Sequence, residues 1–164
     1  MKYLAYFKPN KELSDLILQQ ENLVLPGAGL HSTILNFYMD PKYEETVISD
    51  LLKIDFSEFE IETQEFCDFD NNSLVLRLSC SEELLKLHKE IILSVGDYLD
   101  SDSYSSIEKY CWNNYHPHLT ISKSSSNFNR TSNELINQRD TISRYFLAKK
   151  LDTHWEILKE FIEN

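Results

Sequence analysis

An α+β fold built from two similar halves is what this sequence predicts, on three observations. Segments whose apolar residues alternate with period two are interleaved with segments whose apolar residues recur at three and four positions. The tetrapeptide His31-Ser32-Thr33-Ile34 returns 87 positions later as His118-Leu119-Thr120-Ile121, each time early in a β-rich run. After each copy come an expected helix and an expected pair of strands. The order is therefore nearly a duplication, and two such halves facing each other bring the two histidines across one cleft.

Taken in order, Tyr3, Ala5 and Phe7 alternate with Leu4 and Tyr6 as a strand does, and Pro9-Asn10 opens a helix carrying Leu13, Leu16 and Ile17. Pro26-Gly27-Ala28-Gly29 is a turn cluster leading into a strand over His31 to Met39. Asp40-Pro41 supplies a cap and a first helical position for a helix reaching about Ile54. Runs 56–69 and 74–79, joined by Asp70-Asn71-Asn72, read as a hairpin. From Ser81, Leu84, Leu85, His88, Ile91, Ile92, Val95, Tyr98 and Leu99 form the clearest helical stripe in the chain. The Ser/Asp-rich segment 100–106 reads as a loop, 115–123 as the second motif strand, 124–132 as another loop, and 133–142 as a short helix. Tyr145–Leu151 and Trp155–Ile162 read as a closing pair of strands.

At 164 residues with 41% hydrophobic and 26% charged content, the chain reads as a single domain over 1–164, its two lobes intertwined. No apolar run approaches the roughly 20 residues of a membrane span, and Met1–Pro9 lacks the marks of a signal peptide. A cytoplasmic location follows, in the host cytoplasm if the chain is viral. Cys67, Cys80 and Cys111 are odd in number and lack Cys-x-x-Cys spacing, which predicts reduced, buried thiols. With 16 basic against 27 acidic residues the net charge is −11, so duplex DNA and other long polyanions meet repulsion. A small anionic ligand held by a few local donors fits better.

Because strand side chains alternate, His31 and Thr33 share one side of their strand, as His118 and Thr120 do of theirs. Each copy presents one imidazole with one hydroxyl. Phosphodiester cleavage is easiest when one group takes a proton from the attacking oxygen while another gives one to the leaving oxygen. Imidazoles suit both tasks, since an unperturbed pKa of about 6.5 populates both forms near neutrality. The threonine hydroxyls can donate to non-bridging phosphate oxygens, which accounts for Thr rather than Val at those positions. Such a site needs no metal and no cofactor. Asp68-x-Asp70-x-Asn72 begins like a calcium loop but carries Ser73 where the turn glycine belongs and Ser79 where the bidentate acid belongs. His116 and His118, with His31 or His154, form a conceivable zinc set, although the Pro-His-Leu-Thr context accounts for His118 without metal. His88 lies on the apolar stripe of its helix and reads as a hydrogen-bonded core histidine.

The paired His-x-Thr-hydrophobic motifs, with Tyr115-His116-Pro117-His118-Leu119-Thr120-Ile121 giving the fuller aromatic-x-Pro-His-Leu-Thr form, resemble the two-histidine (2H) phosphoesterase superfamily over nearly the whole chain. That resemblance implies two antiparallel sheets facing a central cleft with helices outside, His31, Thr33, His118 and Thr120 in the cleft, and metal-independent chemistry. It also implies the substrate range of the superfamily: 2′,3′-cyclic phosphates on RNA, 2′-5′ oligoadenylate, and cyclic nucleotide immune signals, the last two linked to immune evasion. Members acting on RNA often carry Arg soon after the second motif, whereas here Ser122-Lys123 follows. A small nucleotide, cyclic or 2′-5′-linked, is therefore expected as substrate. Short RNA ends, or nucleotide binding without turnover, are the alternatives. Lys123 and Ser122 are candidate phosphate contacts, and Tyr6, Tyr115 and Trp155 are strand aromatics able to stack on a base or to fill the core.

Overall fold

The computed structural model describes residues 1–20, 23, 25–69, 73–122 and 133–163. Along them run β1 (Lys2–Phe7), α1 (Lys11–Leu18), β2 (Ser32–Tyr38), α2 (Glu44–Leu51), β3 (Phe59–Phe69), β4 (Ser73–Leu78), α3 (Glu82–Val95), α4 (Ser101–Tyr110), β5 (His118–Ser122), β6 (Arg139–Ile142), β7 (Arg144–Lys150) and β8 (Trp155–Ile162). The strands form one antiparallel sheet in the order β6-β3-β4-β5-β2-β1-β7-β8.

The expected α+β class is found, but the two expected sheets are one. Four strands on each side meet where β2 and β5 touch, through the single pair Ser32↔Leu119. The sheet curls strongly. Three strands separate β1 from β3, yet the rings of Phe7 and Phe59 approach to 5.3 Å. Only Ser143 lies between β6 at one edge and β7 in the other half.

Period-two alternation decides what each face of the sheet carries. In β1, Tyr3, Ala5 and Phe7 enter the large core, whereas Leu4 and Tyr6 join a small second cluster with Ala148, against which Phe146, Trp155 and Ala28 pack. The helices cover the large-core face. α1 starts at Asn10, whose side chain accepts from the Leu13 amide at 2.9 Å, and buries Leu13 and Ile17. α3 starts at Ser81, which caps the Leu84 amide, and buries Leu84, Leu87, His88, Ile91, Ile92 and Val95.

Three expectations are corrected. The segment read as a Ser/Asp loop is α4: Asp100 caps it, and Ser103 is buried with its hydroxyl accepting from the Tyr38 amide at 2.7 Å and donating to the Tyr38 carbonyl at 3.0 Å. Serines that suit a loop are here bound to β2 by tertiary hydrogen bonds. The helix expected over 133–142 is a 3-10 turn, Asn133–Leu135, followed by β6. Asn137 takes a left-handed φ of 60°. Around it Thr63 exchanges backbone and side-chain bonds with Asn137 and Gln138, which seats β6 on β3. Strand pairing replaces local helix, and the near-duplication ends there. Of the thiols, Cys111 is buried, Cys67 half-buried and Cys80 exposed, because the last lies beyond the end of β4. The Asp70–Asn72 turn and the 124–132 loop lie outside the described residues. Among the described residues no helix is long and apolar enough to cross a membrane.

Candidate active site

The centre of the site is the Ser32↔Leu119 pair, whose two side chains are both fully buried toward the helices. The flanking positions therefore face the other side of the sheet. The antiparallel direction sets His31 across from Thr120 and Thr33 across from His118. Two imidazoles and two hydroxyls thus alternate around one patch of sheet, each histidine beside the other motif's threonine. Tyr6, paired with Thr33 on β1, borders the same patch, its ring edge-on to His31 at 5.4 Å.

Both imidazoles are held in the same way. Nδ1 of His31 donates to the Gly29 carbonyl at 2.8 Å, and Nδ1 of His118 donates to the His116 carbonyl at 2.9 Å. A carbonyl only accepts, so Nδ1 carries the proton in each ring and the Nε2 lone pair is left for chemistry. Different local devices place the two carbonyls. On the second motif Pro117 restricts the backbone between His116 and His118. On the first, Gly29 closes the Pro26 turn by donating its amide to the Pro26 carbonyl at 2.8 Å, with a φ of 77°. A Cβ added at Gly29 meets no atom within 4 Å, so the cost of a side chain there is conformational alone. Gly29→Ala is expected to lose about 1 kcal/mol of stability in a denaturant melt, and to lower turnover severalfold by loosening the carbonyl that orients His31.

Burial shifts both histidines below their ordinary range. For His31 desolvation dominates, the Gly29 hydrogen bond opposes it, and charge on His118 and Lys8 lowers it further. For His118 desolvation again leads, against the His116 carbonyl bond, with the His116 ring adding a smaller downward push. Neutral imidazole is the resting form of both near pH 7.

The remaining sequence-selected residues fall in different places. Tyr6 and Trp155 both belong to the small apolar cluster on the motif face, Tyr6 stacked on Phe146 at 5.3 Å and Trp155 under the Lys150 ammonium at 5.6 Å. Tyr115 is no open stacking platform. Its ring is 8% exposed and lies flat on His88 at 3.9 Å, and its hydroxyl donates to the Thr33 carbonyl at 3.2 Å, so it braces the motif strand from within. Ser122 is buried at the end of β5 opposite Leu74, and Lys123 lies outside the described residues. Among the described residues no three His, Cys, Asp or Glu side chains converge as a metal-binding group.

The structure adds three neighbours that the sequence reading did not select. Phe69 packs on His118 with ring centroids 4.5 Å apart. Phe146 backs Tyr6, and the Lys8 ammonium lies 5.9 Å from the Tyr6 ring and 5.5 Å from that of Phe146. Lys8 was accessible to sequence reasoning, since period two from Leu4 and Tyr6 leads to it. Phe69 was not, because its approach to His118 depends on how the β3–β4 hairpin lies over β5.

Comparison with known proteins gives the family and the fold of the chain. The family model described as the 2′-5′ RNA ligase superfamily matches residues 22–151. The chain belongs to that superfamily, a branch of the two-histidine phosphoesterases. Among solved structures it is similar to TT0787 of Thermus thermophilus, with 13% identity, TM-score 0.75 and coverage of 99% of this chain and 97% of that one. E. coli LigT complexed with 3′-AMP gives 13% identity, TM-score 0.71 and coverage of 99% and 97%. Usb1 of Kluyveromyces marxianus is more distant, at 11% identity and TM-score 0.52 over 96% and 97%. A search of curated protein sequences finds no match.

Proposed function

We propose that this protein is a metal-independent phosphodiesterase acting on small nucleotides, with His31 and His118 as the acid–base pair and Thr33 and Thr120 as donors to the phosphoryl oxygens. The observation that carries the reading is the register at Ser32↔Leu119, which interleaves the two motifs on one face with both Nε2 atoms unspent. One Nε2 takes the proton of the attacking oxygen, from water or a neighbouring ribose hydroxyl, as the new P–O bond forms. The bond to the leaving oxygen breaks, and the other imidazole, protonated beforehand, supplies that oxygen with a proton. The threonine hydroxyls hold the non-bridging oxygens, where negative charge develops. LigT has been solved with 3′-AMP, ATP and NADP+, which supports a nucleotide in the corresponding cleft here.

The substrate class we favour is a cyclic oligonucleotide, a 2′-5′ oligoadenylate or a 2′,3′-cyclic phosphate, because a net charge of −11 opposes long RNA. The test is a chromatographic screen of wild type and His118→Ala against those compounds and against RNA bearing a 2′,3′-cyclic end, with and without EDTA. Conversion of a small nucleotide by wild type alone, undiminished by chelator, is the expected result. Preference for long RNA with steep salt dependence redirects the reading to RNA ends, and binding with no conversion redirects it to sequestration.

The pH profile follows from the depressed histidines. Catalysis needs one imidazole neutral and one charged, and the fraction in that state peaks between the two pKa values. Both lie below 6.5 in the free protein, so kcat/KM should peak on the acid side of pH 6.5. A bound phosphate anion favours the cation and raises the acid's pKa. The kcat optimum should therefore lie at higher pH than that of kcat/KM, which initial rates across pH 4.5–8.5 would show.

A further inference from the structure

From Thr33 and His118 a groove of about 720 Å³ runs away from the motifs, between α4 and the second half of β2, within the range of ~300–1,000 Å³ usual for ligand sites. His31 and Thr120 do not border it. Its lining sets it apart from the rest of the surface. In a chain with 27 acidic and 16 basic residues, no carboxylate lines it among the described residues, whereas Lys2, Lys109 and the two imidazoles of His116 and His118 do. By contrast, the depression between α2 and α3 holds Asp50, Asp55, Glu90 and Asp97 beside two lysines.

The groove is aromatic as well as basic. Phe69 touches His118 at 4.5 Å on one side and Tyr110 at 6.0 Å on the other, so a row of rings leads outward from the motif imidazole. Lys109 stands over Tyr110 at 4.6 Å and Lys2 over Tyr38 at 5.8 Å. The walls are fixed to each other at the Tyr38 end, where Ser103 and the Asp100 amide of the α4 entry bond the Tyr38 backbone. Asn36 adds an amide to the lining between them.

We infer that this groove is the seat of a second nucleotide, its base stacked along Phe69 and Tyr110 and the phosphate flanking the scissile one held by Lys109 and Lys2. The inference rests on the phosphodiesterase reading above and extends it: the preferred substrate holds at least two linked nucleotides, because a lone cyclic mononucleotide leaves the groove empty. Stacking is tolerant of base identity, and ammonium groups beside rings combine charge with π contact. Linear and cyclic dinucleotides both supply the second base and second phosphate.

The experiment measures kcat/KM for a 2′,3′-cyclic mononucleotide, a 5′-phosphorylated 2′-5′ adenylate dimer and a 3′-5′ cyclic dinucleotide, with wild type, Lys109→Ala, Lys2→Ala and Lys53→Ala. Lys53 pairs with Asp50 at the end of α2, outside the groove. Wild type should favour at least one dimer over the monomer by tenfold or more, and the favoured dimer identifies linear or cyclic substrate. That ratio should fall at least tenfold in Lys109→Ala and persist in Lys53→Ala. A ratio near one in wild type, or one unmoved in both groove variants, overturns the inference while leaving the catalytic reading intact. If wild type converts none of the three, the catalytic reading fails instead, and calorimetric binding of the same compounds decides the groove. Tenfold tighter dimer binding that is lost in Lys109→Ala supports it, and equal affinities overturn it.

Discussion

His118→Ala is expected to lower kcat by about 10²–10⁴-fold, the usual contribution of one general acid or base, with His31→Ala losing a similar amount. The folded state should survive both changes, because each imidazole donates one hydrogen bond to a carbonyl only two residues away and both residues are half-buried. The double variant should be scarcely worse than either single one, since a pair that works as a unit is not additive. Single-turnover rates with thermal melts of the same preparations would check this. Retention of turnover within threefold in either variant would exclude a mechanism built on both rings.

The second large effect concerns stability and belongs to His88. Its side chain is fully buried, Nδ1 donates to the Ile34 carbonyl at 2.9 Å, and Nε2 accepts from the Trp112 amide at 3.2 Å. Only the neutral ring can do both, and burial accordingly holds its pKa down to about 4. His88→Ala should cost about 3–5 kcal/mol in a urea melt, from the cavity and from a stranded carbonyl and amide. The pH dependence has a definite sign. An unfolded histidine takes up a proton near pH 6.5 while the folded one does so only near 4, so stability falls as the pH drops through that interval and then levels off. A difference of about 2.5 units corresponds to roughly 3 kcal/mol, and wild type should lose that increment between pH 7 and 4 whereas a folded His88→Phe variant should not.

Much of this was legible in the sequence because it rests on local rules. The motif residues, the cap at Asp40, the stripe of α3 and the core place of His88 all follow from spacing and side-chain chemistry. What escaped depends on long-range partners. α4 looked like a loop because its serines and aspartates suit one, and only Tyr38, 65 positions before Ser103, shows what they bind. β6 looked helical because its pairing with β3 is non-local. Tyr115 offered an aromatic ring with no sign of which face it would take, and His88 and Thr33 settle that in space.

The two halves of the sheet are held to each other across β2 and β5 by one ladder pair, while β1 and β2 share six. The least stitched line among the described strands therefore runs between the two motif histidines. The bond from Tyr115 to Thr33 crosses that line, as does the packing of Phe7 on Phe59, so the joining that the ladder lacks there is supplied by side chains.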